Sequence, residues 1–469
     1  MRSLLSLLLA AALPLTASAP SSPASANAPA HLSTPASAAC TSAEGSDFDG
    51  DGVDDSAVGD PFADTVRAES SGAVHVLSGR SGGGTVVTAP EPTAGDGFGW
   101  SVRLAHLDDD RCADLLVGAP YADVQGREDA GAVYAIYGGG SQRKPERLIA
   151  PEPEADAHFG WSLAARGPLV AIGAPHENDG GVADAGAVYL AGTGALTTLR
   201  RVSQNTDGVT GNPEVGDMFG WAVELGKLGG EAGELDLAIG LPYENDDGTG
   251  VQVDEGELDS GAIGILFDVA ENTGKQVSKK WDLREITEAE AGDRFGYALA
   301  YGEEGDTSYL AVGAPLGDGG PVKDSGLVQL FQASSTAEIT PAATFHRDRE
   351  GAEGDGYGYA VAFSEGEGLR LAVGIPFAGS DKTGAVSLIS VGDPGEARLV
   401  SGESAGERFG WSVASAGNKL VVGAPDRKGS GGAALLGRND GAVTPAAPGA
   451  GQLPVLDGGA SVDFGAAVG

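Results

Sequence analysis

Residues 95–136 read GDGFGWSVRLAHLDDDRCADLLVGAPYADVQGREDAGAVYAI. Three short phrases lie in this stretch, and all three recur in the same order along the chain. The first is an aromatic-Gly phrase, GDGFGWSV from Gly95. It returns as DAHFGWSL from Asp156, GDMFGWAV from Gly216, GDRFGYAL from Gly292, GDGYGYAV from Gly354 and GERFGWSV from Gly406. The second is an apolar run closed by Gly-x-Pro: LLVGAP (from Leu115), VAIGAP (Val170), LAIGLP (Leu237), LAVGAP (Leu310), LAVGIP (Leu371) and LVVGAP (Leu420). The third is a small residue, Gly and then apolar alternation, as in AGAVYAI (130–136), SGAVHVL (71–77) and SGAIGIL (260–266). From the Gly of the second phrase to the Gly of the third is 13 residues in four repeats: Gly59 to Gly72, Gly118 to Gly131, Gly173 to Gly186 and Gly313 to Gly326.

Each phrase is expected to be a strand of about five residues, with β-branched and aromatic residues inside and Gly, Pro or Asp at its ends. Proline cannot donate to a ladder, so Gly-x-Pro ends the second strand and sets the turn. A less regular fourth segment follows each third phrase, for example ERLIA at 146–150. Four short strands per unit predict an all-β fold, a β-propeller rather than a solenoid. Trp100, Trp161, Trp221 and Trp411 share one repeat position, which is expected to pack neighbouring blades at about 2–3 kcal/mol per buried ring.

Admitting SAVGDP (56–61), the second and third phrases each occur seven times, whereas the aromatic-Gly phrase occurs six times before the last segment. The missing copy is Asp463-Phe464-Gly465-Ala466, at the opposite end from the blade it belongs to. A strand from 461–469 is therefore expected beside Ala57–Gly59, closing a seven-bladed ring of four-stranded blades and removing its open edges. The blades are placed at 46–92 plus 460–469, 95–150, 156–212, 216–290, 292–350, 354–402 and 406–455. That makes one domain over 46–469.

Glycine is 77 of 469 residues without a three-residue period, which excludes collagen. Lys and Arg total 29 against 67 Asp and Glu, a net charge of −38 that repels phosphate backbones and anionic lipid. No nucleic-acid partner and no membrane-surface role are expected. Arg2, the apolar run Leu4–Leu15 and the small residues after it read as a secretory signal peptide, 1–26, cut after Ala26. A Ser/Pro/Ala-rich linker follows at 27–45, and no later stretch of 18 apolar residues offers a transmembrane segment. The protein is expected to be secreted, to the extracellular or cell-envelope space. Its two cysteines, Cys40 and Cys112, then have an oxidising compartment in which to pair. The competing reading makes SAAC, ending at Cys40, a lipidation site.

The phrases FGWSV, LLVGAP and GAVYAI (98–102, 115–120, 131–136) resemble the FG-GAP repeats of the integrin α-subunit β-propeller, over essentially the whole mature chain. The resemblance implies a seven-bladed propeller with the aromatic-Gly phrase in the innermost strand. It also implies a calcium loop between first and second strands. DFDGDGVDD (47–55) supplies Asp47, Asp49 and Asp51 at alternate positions, a glycine at the sharp turn, and Asp55 closing the loop. Alternating oxygens on a tight turn suit Ca2+, and the resemblance carries ligand roles to these four carboxylates and the Val53 carbonyl. An EF-hand would need Glu where Val58 stands, so that reading fails.

HLDDDRCAD (106–114) is a damaged copy: Asp108, Asp110 and Asp114 remain, but His106 takes the first ligand position and Arg111 that of the glycine. It stays a compromised calcium candidate. A Cys40–Cys112 disulfide would tie the incoming chain to this blade, in place of a lost metal. The other five loops lack the alternation. Acidic connections at 176–186 and 243–261 are expected on the face opposite the calcium loops, the ligand face in the resembling family; they are expected to be solvated loops, with partner or further cation binding as the alternative.

The six histidines form no HExxH, and no GxSxG elbow is present; His158 and His176 flank the third blade's phrases and are placed to approach one another. The expected function is that of a monomeric, integrin-α-like, calcium-binding adhesion module for an extracellular protein or glycan. The alternative is a secreted hydrolase or lyase with its site on a propeller face.

Overall fold

The computed structural model describes residue 40 and residues 45–469, apart from 81–82, 232, 246–255, 271–275, 319, 321, 335–336, 348–350, 365–367, 396, 417–418, 428–430, 438–442, 447–464 and 466. The expected signal peptide, most of the linker, Asp463 and Phe464 lie outside the described residues. Strands dominate the rest, with two short 3-10 turns, Thr193–Ala195 and Leu283–Glu285. No described helix is long and apolar enough to cross a membrane.

Seven antiparallel sheets of four strands make up a seven-bladed β-propeller. Blade 2 is typical. Its strands are Ser101–Ala105, Asp114–Ala119, Ala132–Ile136 and Glu146–Leu148, and Val117 lies opposite Val102 on one side and Tyr134 on the other. The second strand is buried on both faces, as a strand flanked within its sheet and covered by both neighbouring blades must be. Cores lie between blades: Val74 and Val76 of blade 1 pack with Phe98, Leu115, Val117 and Tyr134 of blade 2. Leu116 and Val133 pack in the same way with Phe159, Val170, Ile172 and Tyr189 of blade 3.

Blade 1 is completed from the far end of the chain, as expected. Ala467–Val468 pairs with the strand Ser56–Asp60, with Val468 opposite Val58 and Ala467 opposite Gly59. The Gly469 and Ala57 amides donate to each other's carbonyls at 2.9 and 2.8 Å, and the Gly465 amide donates to the Gly59 carbonyl at 3.0 Å.

Two glycines per repeat account for the blade contact. The Gly of Gly-x-Pro lies so near the next blade that a Cβ on Gly118 would sit 2.1 Å from the Gly160 carbonyl oxygen. The same approach recurs from Gly59 to Gly99, Gly173 to Gly220, Gly240 to Gly296, Gly313 to Gly358, Gly374 to Gly410 and, across the seam, Gly423 to Gly465. Each receiving glycine has φ between 91 and 101°, a conformation other residues enter at a cost of about 1–2 kcal/mol.

The expectation that the aromatic-Gly phrase is itself the innermost strand needs correcting. In blade 2 the strand begins at Ser101; Phe98 forms a parallel bridge to Gly72 of the previous blade, and the left-handed turn at Gly99 follows it. That turn separates the roles of neighbouring residues. Phe98, Phe159, Phe219, Phe295, Tyr357 and Phe409 are the rings packed between blades, at most 2% exposed. The tryptophans expected there are only half-buried.

Candidate metal centre and axial face

Antiparallel order puts the connections from first to second strand at one end of the ring and those from second to third at the other. Asp47–Asp55 leads into the second strand of blade 1, whose first strand comes from the far end of the chain, and so takes the place of the first kind of connection. Asp47 organises it: one carboxylate oxygen accepts the Gly50 and Asp51 amides at 2.8 and 3.1 Å, the other the Gly52 amide at 2.8 Å. Gly50 and Gly52 have φ of 81 and 85°, which curls the backbone around that carboxylate. Asp55 anchors the loop, accepting the Phe48, Asp49 and Gly79 amides at 2.9, 3.0 and 3.0 Å.

Carboxylate oxygens of Asp47, Asp49 and Asp55 all lie within 4.8 Å of one another, and no other described residues make such a group. Burial, and then the charge of Asp51, holds the Asp49 carboxyl above its ordinary range. Burial pushes Asp55 up to about 6. Carboxylates crowded together against their own charge, on a loop already curled by its amides, fit a hard divalent cation. Asp51 stands apart, accepting from Ser78 Oγ at 3.1 Å and lying 3.5 Å from Arg80 Nε. Val53 is on the exposed lip and donates its amide to Asp51.

The second loop is built on the same plan without that group. Asp114 is fully buried, accepts the Leu107 and Gly138 amides at 2.8 and 2.9 Å, and is raised to about 6 by burial. Asp110 accepts the Cys112 amide and Asp108 the Asp110 amide, while Asp108 lies 3.7 Å from Arg143. His106 spans the Cys112 and Gly45 carbonyls, 3.0 Å from each. Cys40 and Cys112 form a disulfide, so the lipidation reading of Cys40 falls. Blade 4 repeats the anchor at a position the sequence reading passed over: Asp236 accepts the Leu228, Gly230 and Asp268 amides. The signal was an Asp at the start of the second strand.

At the opposite end, the half-buried aromatics form a run around the axis. Trp100, Trp161, Trp221, Tyr297, Tyr359 and Trp411 follow one another with centroids 4.7, 4.9, 5.4, 5.0 and 4.7 Å apart. A second set sits edge-on to them, from the residue after Gly-x-Pro in five of the seven blades: Phe62, Tyr121, His176, Tyr243 and Phe377. That position was not singled out in the sequence, although aromatic identity after Pro repeats there. Arg294 lies over Tyr243 at 4.0 Å and Arg408 over Trp411 at 4.9 Å.

His158 and His176 do approach, with ring centroids 4.8 Å apart, and His176 Nδ1 is 3.2 Å from Asp184. Burial, and then the neighbouring imidazole, pushes His158 down to about 4. The acidic connections are less solvated than expected. Glu177 and Asp179 are buried on Arg201, and Glu244 is buried on Lys280, which also reaches Asp282 at 3.1 Å. Residues 246–255 of the longer connection lie outside the described residues.

A propeller with one acidic loop and an aromatic axial face is the class that the fold and these sites define. Family models for the FG-GAP repeat match residues 98–136, 143–191 and 396–437. The chain carries FG-GAP repeats and resembles the integrin α-subunit propeller. It is 36% identical over 132 residues to integrin alpha-7 of Rattus norvegicus, 26% of this chain and 11% of that one. It is 35% identical over 107 residues to the phosphatidylinositol-glycan-specific phospholipase D of Bos taurus, 22% of this chain and 12% of that one. The matched stretches thus span about a tenth of these relatives. Among solved structures, a putative 6-phosphogluconolactonase from Bacteroides uniformis ATCC 8492 matches with a TM-score of 0.48 and 10% identity, over 89% of this chain and 99% of that one.

Proposed function

We propose that the protein is a calcium-stabilised extracellular binding module that takes a protein or glycan partner on its axial aromatic face. The observation that carries this reading is the run of six half-buried rings from Trp100 to Trp411, flanked by Tyr121, Tyr243 and Phe377. Rigid aromatic rings lose little side-chain entropy on binding and present both apolar area and π faces, which is why they dominate binding hot spots. Asp47, Asp49 and Asp55, with Asp51 and the Val53 carbonyl, would hold Ca2+ at the other end. There the ion would neutralise the crowded carboxylates and brace blade 1 at the seam. The resemblance to integrin α subunits and the disulfide support an extracellular setting.

The test is to present the purified protein to arrays of extracellular proteins and glycans, beside a Trp161→Ala variant. A partner bound by the parent and released at least tenfold more readily by the variant supports the reading. A partner held equally by both places recognition elsewhere and overturns the axial face. Among the described residues, His158, His176 and Asp184 are the acid–base candidates that a hydrolase or lyase on this face would use. Turnover of an array ligand, abolished by His176→Ala, would favour that second reading.

A further inference from the structure

Both cysteines of the Cys40–Cys112 bridge converge on the first residue of the acidic loop. Cys40 Sγ lies 3.6 Å from the Asp47 carbonyl oxygen, and Ala113, next to Cys112, donates its amide to that same oxygen at 2.9 Å. The adjoining Phe48 carbonyl accepts the Gly139 amide at 2.7 Å, and a Cβ on Gly139 would meet Cys112 Sγ at 2.4 Å. His106 closes the junction by spanning the Cys112 and Gly45 carbonyls. The backbone that aims the Asp47 carboxylate is therefore clamped to blade 2 through the disulfide and its immediate neighbours. Residues that orient a metal ligand without touching the metal typically change affinity by about 10–100-fold.

We propose that the Cys40–Cys112 disulfide sets the calcium affinity of the blade 1 loop, so that reduction by a dithiol loosens the site. The proposal rests on the calcium reading above. Chemically, one thiolate of the dithiol attacks a cysteine sulfur, breaking the S–S bond and forming a mixed disulfide. The second thiol of the reductant then closes its own disulfide. Two electrons pass to the bridge, and the two protons given up by the dithiol end on Cys40 and Cys112. The two cysteines are 3% and 6% exposed, so exchange awaits local opening and the oxidised form persists between encounters.

The test is isothermal titration of Ca2+ into the oxidised protein, the dithiol-treated protein with both thiols titrated free, and the Cys40→Ser/Cys112→Ser variant. Unchanged tryptophan fluorescence verifies the fold of each. The expected result is a Kd at least tenfold weaker in both unbridged forms. His106→Gln, with the bridge intact, should weaken binding by a smaller factor. Equal Kd with and without the bridge overturns the proposal while leaving the calcium reading in place. No calcium binding by the oxidised protein removes the calcium reading, and this proposal with it. Should the double variant fail to fold, the dithiol-treated protein makes the same comparison.

Discussion

Phe98 and Trp100 are two positions apart and face different surroundings, because the glycine between them turns the chain at a φ of 101°. The phenylalanine enters the space between blades 1 and 2, edge-on to Tyr134 at 5.4 Å, and the tryptophan joins the axial run. His158 occupies the position just before the buried Phe159, at a φ of 54°. Its imidazole is held neutral by burial, with a pKa near 4 against an ordinary 6.5. The group's folded-state pKa is depressed, so protonation favours the unfolded chain, and stability should fall as pH drops from 6.5 towards 4. In melts across that range, His158→Gln should flatten the acid limb. An acid limb as steep as the parent's would remove His158 from this account.

Within a blade, the fourth strand contributes more than an edge. Lys280 on the strand Val277–Asp282 reaches the carboxylates of Glu244 and Asp282, with both lysine and glutamate side chains under a tenth exposed. Burial and the nearby Asp217 raise the Glu244 carboxyl, and Lys280 is the positive charge that opposes this. Removing one partner of a buried pair strands the other. Lys280→Met should therefore cost about 3–5 kcal/mol, and adding Glu244→Gln should recover part of it. Urea midpoints measure both; a Lys280→Met midpoint equal to the parent's would contradict the pairing.

This pairing was not legible in the sequence. Residues 36 positions apart, one on the fourth strand and the other in the connection after the second, meet only once the register of the sheet is known. What was legible depends on backbone demands that act within a repeat. Gly-x-Pro ends each second strand where a side chain would strike the next blade's carbonyl, so its spacing could be read directly. The two aromatics of one phrase gave no such cue, since periodicity does not say which of Phe98 and Trp100 turns inward. The loop at 47–55 was legible because oxygen ligands must alternate on a tight turn. That Asp51 would turn to Arg80 was not, since the arginine comes from a different connection.

At the scale of the whole molecule, the contact from Gly423 to Gly465 makes the seam equivalent to the six other blade junctions. Chain ended at residue 460 would expose the strand Ser56–Asp60 and the apolar side of blade 7. Thermal unfolding should then begin at least ten degrees lower, with a broader transition than the parent's. An unchanged melting curve would mean that Ala467–Val468 adds nothing to closure. The acidic loop lies in the same blade, so a cation there would bear on stability as well as on charge. Binding to the folded state alone stabilises by about 2.7 kcal/mol at a hundredfold excess over Kd. The most direct measurement is therefore the melting temperature of the oxidised protein in saturating calcium and in chelator, beside Asp49→Ala. A rise of several degrees with calcium in the parent, blunted in the variant, is expected. A parent that melts at the same temperature in both would contradict the calcium-stabilised propeller.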